Sequence, residues 1–360
     1  MRSRGSPTSR KSHTSRTART SGQAQANALA RIRARAKPSA RARAKPLARA
    51  RAKPLARALA IPLAVLAATL LATGCSSAFG STDPGGKIIA VGAENEYADV
   101  ISQVGGKYVQ VSAIMSNPNT DPHTFEASAS VGRLVNTARL VVQNGLGYDS
   151  FMDSIENAVP DSSRKVIVVA KLLGLPNSTP NPHLWYSPAT MPAVAMAIAT
   201  DLGKLQPSHG SYFKANAAAF IRSLKEWTSA ITAFKAQYPG TPVATTEPVA
   251  DYLLQAAGAD NLTPWAFQAD IMNGTDPSAQ DVAIQRSLFT QHKVKVFLYN
   301  QQVTDSLTES FISLARANGI PVVGVYETMP EPGYHYQSWM VAETKDLRQA
   351  VASKTSSEHL

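Results

Sequence analysis

No aspartate or glutamate occurs before Asp83, so the chain consists of two unlike materials joined near that point. Residues 1–57 hold 17 of the 36 Lys and Arg, which leaves the remainder 19 basic against 25 acidic residues, a net of −6. The formal charge of +11 therefore belongs to the leader, and the part able to fold is acidic. Neutralising phosphates requires a basic face on the folded part, so nucleic-acid binding is not expected.

Within the leader the octapeptide Arg-Ala-Arg-Ala-Lys-Pro-x-Ala recurs in register at 33–40, 41–48 and 49–56. Alanine supplies almost all the apolar mass and like charges repel along the segment, so residues 1–57 are expected to be disordered. A cytoplasmic-side electrostatic tether is the functional alternative for this stretch. Residues 58–74 then form an uncharged apolar run of 17, ending Leu70-Leu71-Ala72-Thr73-Gly74 before Cys75. A basic flank, an apolar core and small residues are the layout of an export signal. The small-small-Cys ending resembles a bacterial lipoprotein signal, in which the cysteine is lipidated and becomes the mature N-terminus. Ala72 stands where such signals usually carry Leu. A transmembrane anchor is the alternative, although 17 residues lie at the short limit for spanning a bilayer. Cys75 is the only cysteine. Disulfides and thiolate metal sites are thus excluded beyond it, and lipidation gives an otherwise isolated thiol a purpose.

After a Ser/Gly/Pro-rich spacer at 76–86, about 275 residues remain, enough for two α/β lobes with their own cores. Short β-branched runs at 87–93, 108–115, 139–145 and 165–170 read as strands of a first set. Runs at 242–247, 293–300 and 321–327 read as strands of a second. Helical segments such as 97–104 and 306–318 lie between them, and this alternation predicts parallel sheets with helices on both faces. Between the two sets, Phe213, Ala217, Phe220, Leu224, Trp227, Ile231 and Phe234 form one apolar stripe at alternating spacings of 4 and 3. Pro207 precedes the stripe and Pro239-Gly240 follows it, so one long helix is expected as a stiff connector. A core helix of a single domain fits the same stripe. The expected architecture is α/β, two Rossmann-like lobes with parallel sheets joined by a long rigid connecting helix. The expected boundaries are a first lobe at 87–208, the connector at 209–238, a second lobe at 239–351 and a tail at 352–360.

In open parallel sheets, ligands bind outside the carboxyl ends of the strands. Asp121-Pro122-His123 and Asn181-Pro182-His183 follow two strands of the first set, while Glu247 and Glu327 end two strands of the second. Proline before each histidine keeps the preceding backbone extended. Two imidazoles and two carboxylates suit a divalent transition ion. Singly, each has a blander explanation as a hydrogen-bonded loop histidine, a cap or a surface charge. His335, in Gly333-Tyr334-His335-Tyr336, is a candidate gate residue or an ordinary loop histidine.

Taken in order, these segments resemble the metal-binding receptors of ABC importers for zinc and manganese, two-lobed solute-binding lipoproteins. Asp121-Pro122-His123-Thr124-Phe125-Glu126 is similar to that family's first-histidine segment, and Asn181-Pro182-His183-Leu184-Trp185 to the second. Asn144-Gly145-Leu146-Gly147-Tyr148-Asp149 is similar to the Asn-Gly-Leu segment between them. Thr245-Thr246-Glu247 with Tyr252, and Tyr326-Glu327-Thr328, resemble the third and fourth ligand segments. The resemblance runs from about Lys87 to Val351 and implies His123, His183, Glu247 and Glu327 as metal ligands. It also implies an extracytoplasmic receptor on the outer face of the bacterial membrane, handing one ion to an ABC permease and its ATPase. A monomer without enzymatic activity is expected.

Three departures bear on the ion. Zinc-type members usually carry histidine where Glu247 stands, and manganese-type members carry glutamate. Aspartate is commoner at the place of Glu327. No histidine lies between His123 and His183, where zinc receptors often have a His/Asp-rich loop. Together these favour Mn²⁺ with Zn²⁺ as the alternative, against the intrinsic preference of mixed N/O sites for zinc. A metal-dependent hydrolase and a surface adhesion protein on the same scaffold remain as other function classes. The sequence contains neither His-Glu-x-x-His nor Gly-x-Ser-x-Gly.

Cys75→Ala is expected to block lipidation and release or mislocalise the protein without altering metal affinity. A variant still firmly membrane-bound after detergent-free washing would point instead to an uncleaved transmembrane helix.

Overall fold

The computed structural model describes residues 86–117, 125–330 and 332–360. The leader, the apolar run, Cys75, spacer residues 76–85 and His123 lie outside them. The first sheet is built from β1 (Ile88–Glu94), β2 (Val109–Met115), β3 (Leu140–Gln143) and β4 (Lys165–Val168) in the order β2-β1-β3-β4. Every pairing in it is parallel, with Ala90 opposite Leu140 and Ile88 opposite Val109. Its helices are α1 (Asn95–Gly105), α2 (Ala129–Thr137), α3 (Ser150–Ala158), α4 (Val169–Leu172) and α5 (Thr190–Leu205). Next come α6 (Gly210–Ser223) and α7 (Lys225–Gln237). The second sheet repeats the first, with β5 (Pro242–Thr245), β6 (Asp260–Asn261), β7 (Val296–Asn300) and β8 (Val322–Val325) in the order β6-β5-β7-β8, again parallel. Around it lie α8 (Asp251–Ala257), α9 (Trp265–Met272), α10 (Ala279–Thr290), α11 (Ser306–Ala317) and α12 (Tyr336–Ser353). The two-lobed α/β architecture expected from the strand–helix alternation is thus present.

Each of the seven runs read as strands coincides with one; six strands lie inside their runs, and β1 ends one residue beyond its run, at Glu94. β6 was not anticipated, because two residues, Asp260-Asn261, leave no alternating pattern to detect.

All seven residues of the apolar stripe are buried. The connector nevertheless departs from one uninterrupted α-helix. At Leu224 the backbone stays helical (φ −71°, ψ −6°), but its N–H turns to Ile221 O at 3.3 Å, a tighter turn. The regular ladder resumes with Thr228 N–H on Leu224 O at 3.0 Å. The reason lies in what each half covers: α6 packs on α1 and α5, whereas α7 packs on α12 and α8. One apolar face serves two lobes, and the tightened turn falls where the partner changes.

Three apolar clusters follow from this plan. The largest runs through both lobes along α6 and α7, including Ile88, Trp185, Phe213, Trp227, Leu298 and Trp339. The outer face of the first sheet buries Val91, Val141 and Met152 under α2 and α3. The outer face of the second buries Phe267, Phe289, Phe297 and Phe311 under α9 to α11. Each such side chain contributes ~1.5–3 kcal/mol by leaving water. Gly92 in β1 lets α1 fold back over the strand end, since a Cβ there would collide with the backbone of Ala98.

The last residues, read from sequence as a tail, lie along β8. Ser357 N–H reaches Val322 O at 3.0 Å, Gly324 N–H reaches Ser357 O at 2.9 Å, and Arg316 pairs with Glu358. This docking occupies backbone groups that an edge strand otherwise exposes. Among the described residues no helix is long and apolar enough to cross a membrane.

Glu343, buried in α12, accepts Trp339 Nε1–H at 2.7 Å and Tyr326 N–H at 3.3 Å. Burial pushes its carboxyl from the ordinary 4.5 up to about 8. The folded protein holds this proton up to about pH 8 and the unfolded chain releases it near 4.5. The contribution to stability is therefore complete at low pH and is lost as pH rises through that window. Glu343→Gln, which mimics the protonated group, should lose less stability than wild type between pH 6 and pH 8 in urea unfolding.

Candidate functional site

In both sheets the strand order reverses beside the first strand, so each lobe has a crevice at its carboxyl ends, between β1 and β3 or between β5 and β7. The sequence-predicted site residues in the described part gather there. Glu247 lies two residues beyond β5, Glu327 two beyond β8, and His183 in the loop leading out of α4. All three are buried, with His183 and Glu327 fully so.

His183 is oriented by Asn181. The Asn181 amide nitrogen donates to Pro248 O at 2.8 Å, which turns its oxygen toward the histidine. That oxygen lies 3.0 Å from His183 N and 2.8 Å from His183 Nδ1. An amide oxygen can only accept, so the network assigns the proton to Nδ1. Nε2 points the other way and sits 3.3 Å from Glu327 Oε2. A ring nitrogen and a carboxylate oxygen at that distance are held together by a proton or a cation between them.

The carboxylates are gathered by Asn300, the last residue of β7. Its Nδ2 donates to Glu327 Oε1 at 2.5 Å and to Glu247 Oε1 at 3.2 Å. Asn300 is itself fixed, its N–H on Thr246 Oγ1 at 3.0 Å and its Oδ1 under Gln302 N–H at 3.0 Å. From the other lobe, Tyr148 OH donates to Glu327 Oε2 at 2.9 Å. Burial first, and the Glu327 charge second, push the Tyr148 phenol well above its ordinary range, so it stays a donor. The loop carrying Tyr148 is closed by Asp149, which takes the N–H groups of Asn144 and Gly145 at 2.6 and 2.9 Å. Asn144 in turn donates to Pro182 O at 2.8 Å and ties that loop to the histidine loop.

Behind this lies an acidic layer that sequence reasoning missed. Glu94 ends β1 and Glu96 lies in the first turn of α1, and both are fully buried. Burial, then the neighbouring Asp149 charge, raises the Glu94 carboxyl well above the usual range. Burial raises Glu96 likewise, with Glu327 the strongest of the nearby charges acting on it. Asp149 is raised to about 6 by burial, against the hydrogen bonds that lower it. Nothing in the spacing marks Glu94 and Glu96, which read as an ordinary helix start. Asn300 could have been suspected only from its place at a strand end.

Among the described residues no three His, Cys, Asp or Glu side chains converge as a metal-ligand group. His183 and Glu327 meet directly, and Glu247 joins through Asn300. His335 lies apart from them, its Nδ1 2.8 Å from Asp99 Oδ1 and its ring exposed. Tyr252, in α8, donates its OH to Asn181 O at 3.0 Å and so supports the histidine loop. A cavity of about 840 Å³ lies elsewhere, along the edge strand β4 beside α5, lined by Val166, Met196 and Lys204. It contains none of these residues.

Two parallel-sheet lobes, each offering buried polar side chains from its strand ends to a shared site, define a solute-binding receptor of the two-lobed type. The chain belongs to the family described as zinc-uptake complex component A, periplasmic (ZnuA), whose model matches residues 91–350. It is similar to the manganese-binding lipoprotein MntA of Bacillus subtilis, 22% identical over 268 residues that cover 71% of this chain and 84% of the relative. The zinc-binding protein TroA of Treponema pallidum is 23% identical with the same coverage. The solved TroA structure superposes with a TM-score of 0.64 at 19% identity, covering 75% of this chain and all of that one. The manganese complex of FpvC from Pseudomonas aeruginosa gives a TM-score of 0.61 at 21% identity, covering 74% of this chain and 99% of that one. These relatives are named for metal binding, not for catalysis.

Proposed function

We propose that this protein is an extracytoplasmic receptor that captures one divalent ion between its lobes and delivers it to an ABC permease and its ATPase. Manganese is the favoured cargo and zinc the alternative. His183, Glu247 and Glu327, with His123 from the segment outside the described residues, are the proposed ligands. Lipidated Cys75 is the proposed anchor to the outer face of the bacterial membrane, a reading supported by the similarity to MntA, which is named a lipoprotein. The observation that carries the proposal is the His183 Nε2–Glu327 Oε2 approach at 3.3 Å. An imidazole nitrogen and a carboxylate oxygen face each other there, and Asn300 brings the second carboxylate alongside. Two carboxylates balance a divalent charge, which lowers the cost of enclosing the ion.

Glu247 turns the choice of ion. Carboxylate oxygen is a harder donor than imidazole and moves between one- and two-oxygen coordination, which suits Mn²⁺; a third imidazole favours tetrahedral Zn²⁺.

Processed protein lacking residues 1–75 is expected to take up one Mn²⁺ or Zn²⁺ per chain at neutral pH. Uptake should weaken as pH falls through the ordinary imidazole range, near ~6.5, because protons compete for the same nitrogens. Titration without stoichiometric uptake of either ion would refute the assignment. In competitive titrations, Glu247→His should raise the Zn²⁺/Mn²⁺ affinity ratio, mainly by weakening Mn²⁺, whereas His123→Ala and His183→Ala should weaken both. An unchanged ratio in Glu247→His would remove Glu247 from the ligand set.

A further inference from the structure

We propose that Asn95 is a positioning residue for metal capture, its side-chain amide latching the N-terminal lobe onto the backbone segment that carries Glu327. This rests on the reading of Glu327 as a ligand. Asn95 opens α1 directly after β1 and is buried. Its Nδ2 donates to Met329 O at 2.7 Å and its Oδ1 accepts Met329 N–H at 2.9 Å. One side chain thereby satisfies both backbone groups of a residue 234 positions away, as a neighbouring strand would.

The same segment is held from the opposite side by Gln302, just beyond β7. Gln302 Oε1 takes the N–H of Glu327 at 2.6 Å and of Thr328 at 2.8 Å, while its Nε2 donates to Thr328 Oγ1 at 3.0 Å. Three successive backbone N–H groups, of Glu327, Thr328 and Met329, are therefore received by two amide oxygens, one from each lobe. Gln302 fixes Glu327 relative to its own lobe. Asn95 fixes it relative to the lobe that supplies His183 and Tyr148.

The chemistry explains an amide here. Met329 presents a donor and an acceptor together, which only a group with both functions can meet. The chain neighbours of Asn95, Glu94 and Glu96, are already buried carboxyl groups, so an acid at this place would bury a third side by side with them. With the latch closed, His183 and Glu327 remain in register. When it opens, Glu327 is free to withdraw with the C-terminal lobe, and the ion loses ligands from one side. The latch therefore acts on how long the ion is held.

The test is the rate at which the full chain, purified in detergent and loaded with Mn²⁺, releases the ion to excess chelator. Asn95→Ala, which removes both hydrogen bonds, should release it about ten-fold faster than wild type. Asn95→Asp keeps the shape and the acceptor but sets an oxygen against Met329 O, and should also release faster; it carries the test if the alanine variant does not fold. Thr344→Val is the control for a purely structural effect. It removes a buried acceptor for Trp227 Nε1–H, 3.0 Å away, between α12 and α7. That variant should melt lower without metal yet release the ion at the wild-type rate. Wild-type release in the folded Asn95 variants, or equal acceleration in Thr344→Val, would overturn the latch. Glu327→Gln separates the two readings. If it abolishes uptake while the Asn95 variants release normally, the ligand assignment stands and the latch falls. If Glu327→Gln still takes up one ion per chain, both fall together.

Discussion

Two buried carboxylates from one lobe repel, and everything around them serves to keep that arrangement tolerable. Glu247 and Glu327 share a single amide donor, Asn300 Nδ2, at the end of β7. An uncompensated buried charge costs several kcal/mol, so this amide, the Tyr148 hydroxyl and the Nε2 side of His183 form the framework on which the site depends. Each of these groups is itself immobilised. Asn300 is held by Thr246 and Gln302, Tyr148 by the Asp149-closed turn, and His183 by Asn181. The geometry is thus set by hydrogen bonds one step removed from the site.

The acidic layer behind the site extends the same logic. Glu94 and Glu96 gain little from hydrogen bonding and are driven toward the protonated form by burial. Asp149 differs because two backbone N–H groups support its ionised form, and its pKa is raised only to about 6. Three acids on one wall therefore behave in two ways, according to how many donors each one faces.

The connector joins this chemistry to the fold. Its apolar stripe buries α6 against the first lobe and α7 against the second, so one cluster of side chains continues through both. The lobes are joined through this shared core without a disulfide, and the connector's turn tightens at Leu224, where its packing partner changes. The amides of Asn95 and Gln302, meeting on Glu327-Thr328-Met329, add polar ties across the same junction.

Local pattern was enough for the architecture. Short β-branched runs alternating with helical ones specify parallel sheets, because burial on both faces makes each strand a nearly continuous apolar run. The 4–3 stripe likewise announced the connector, and the Pro-His and strand-end Glu segments pointed to His183, Glu247 and Glu327 through their position after strands. Tertiary structure alone decided what surrounds them. Asn300 joins two carboxylates separated in sequence, Asn95 reaches Met329 across 234 positions, and Glu94 and Glu96 become buried only because α1 folds back over Gly92. No periodicity records such pairings, since hydrogen bonds between distant segments depend on how the lobes close. A buried acid in a site and an exposed acid at a helix start are the same letter in the sequence; only desolvation, a property of the folded chain, tells them apart.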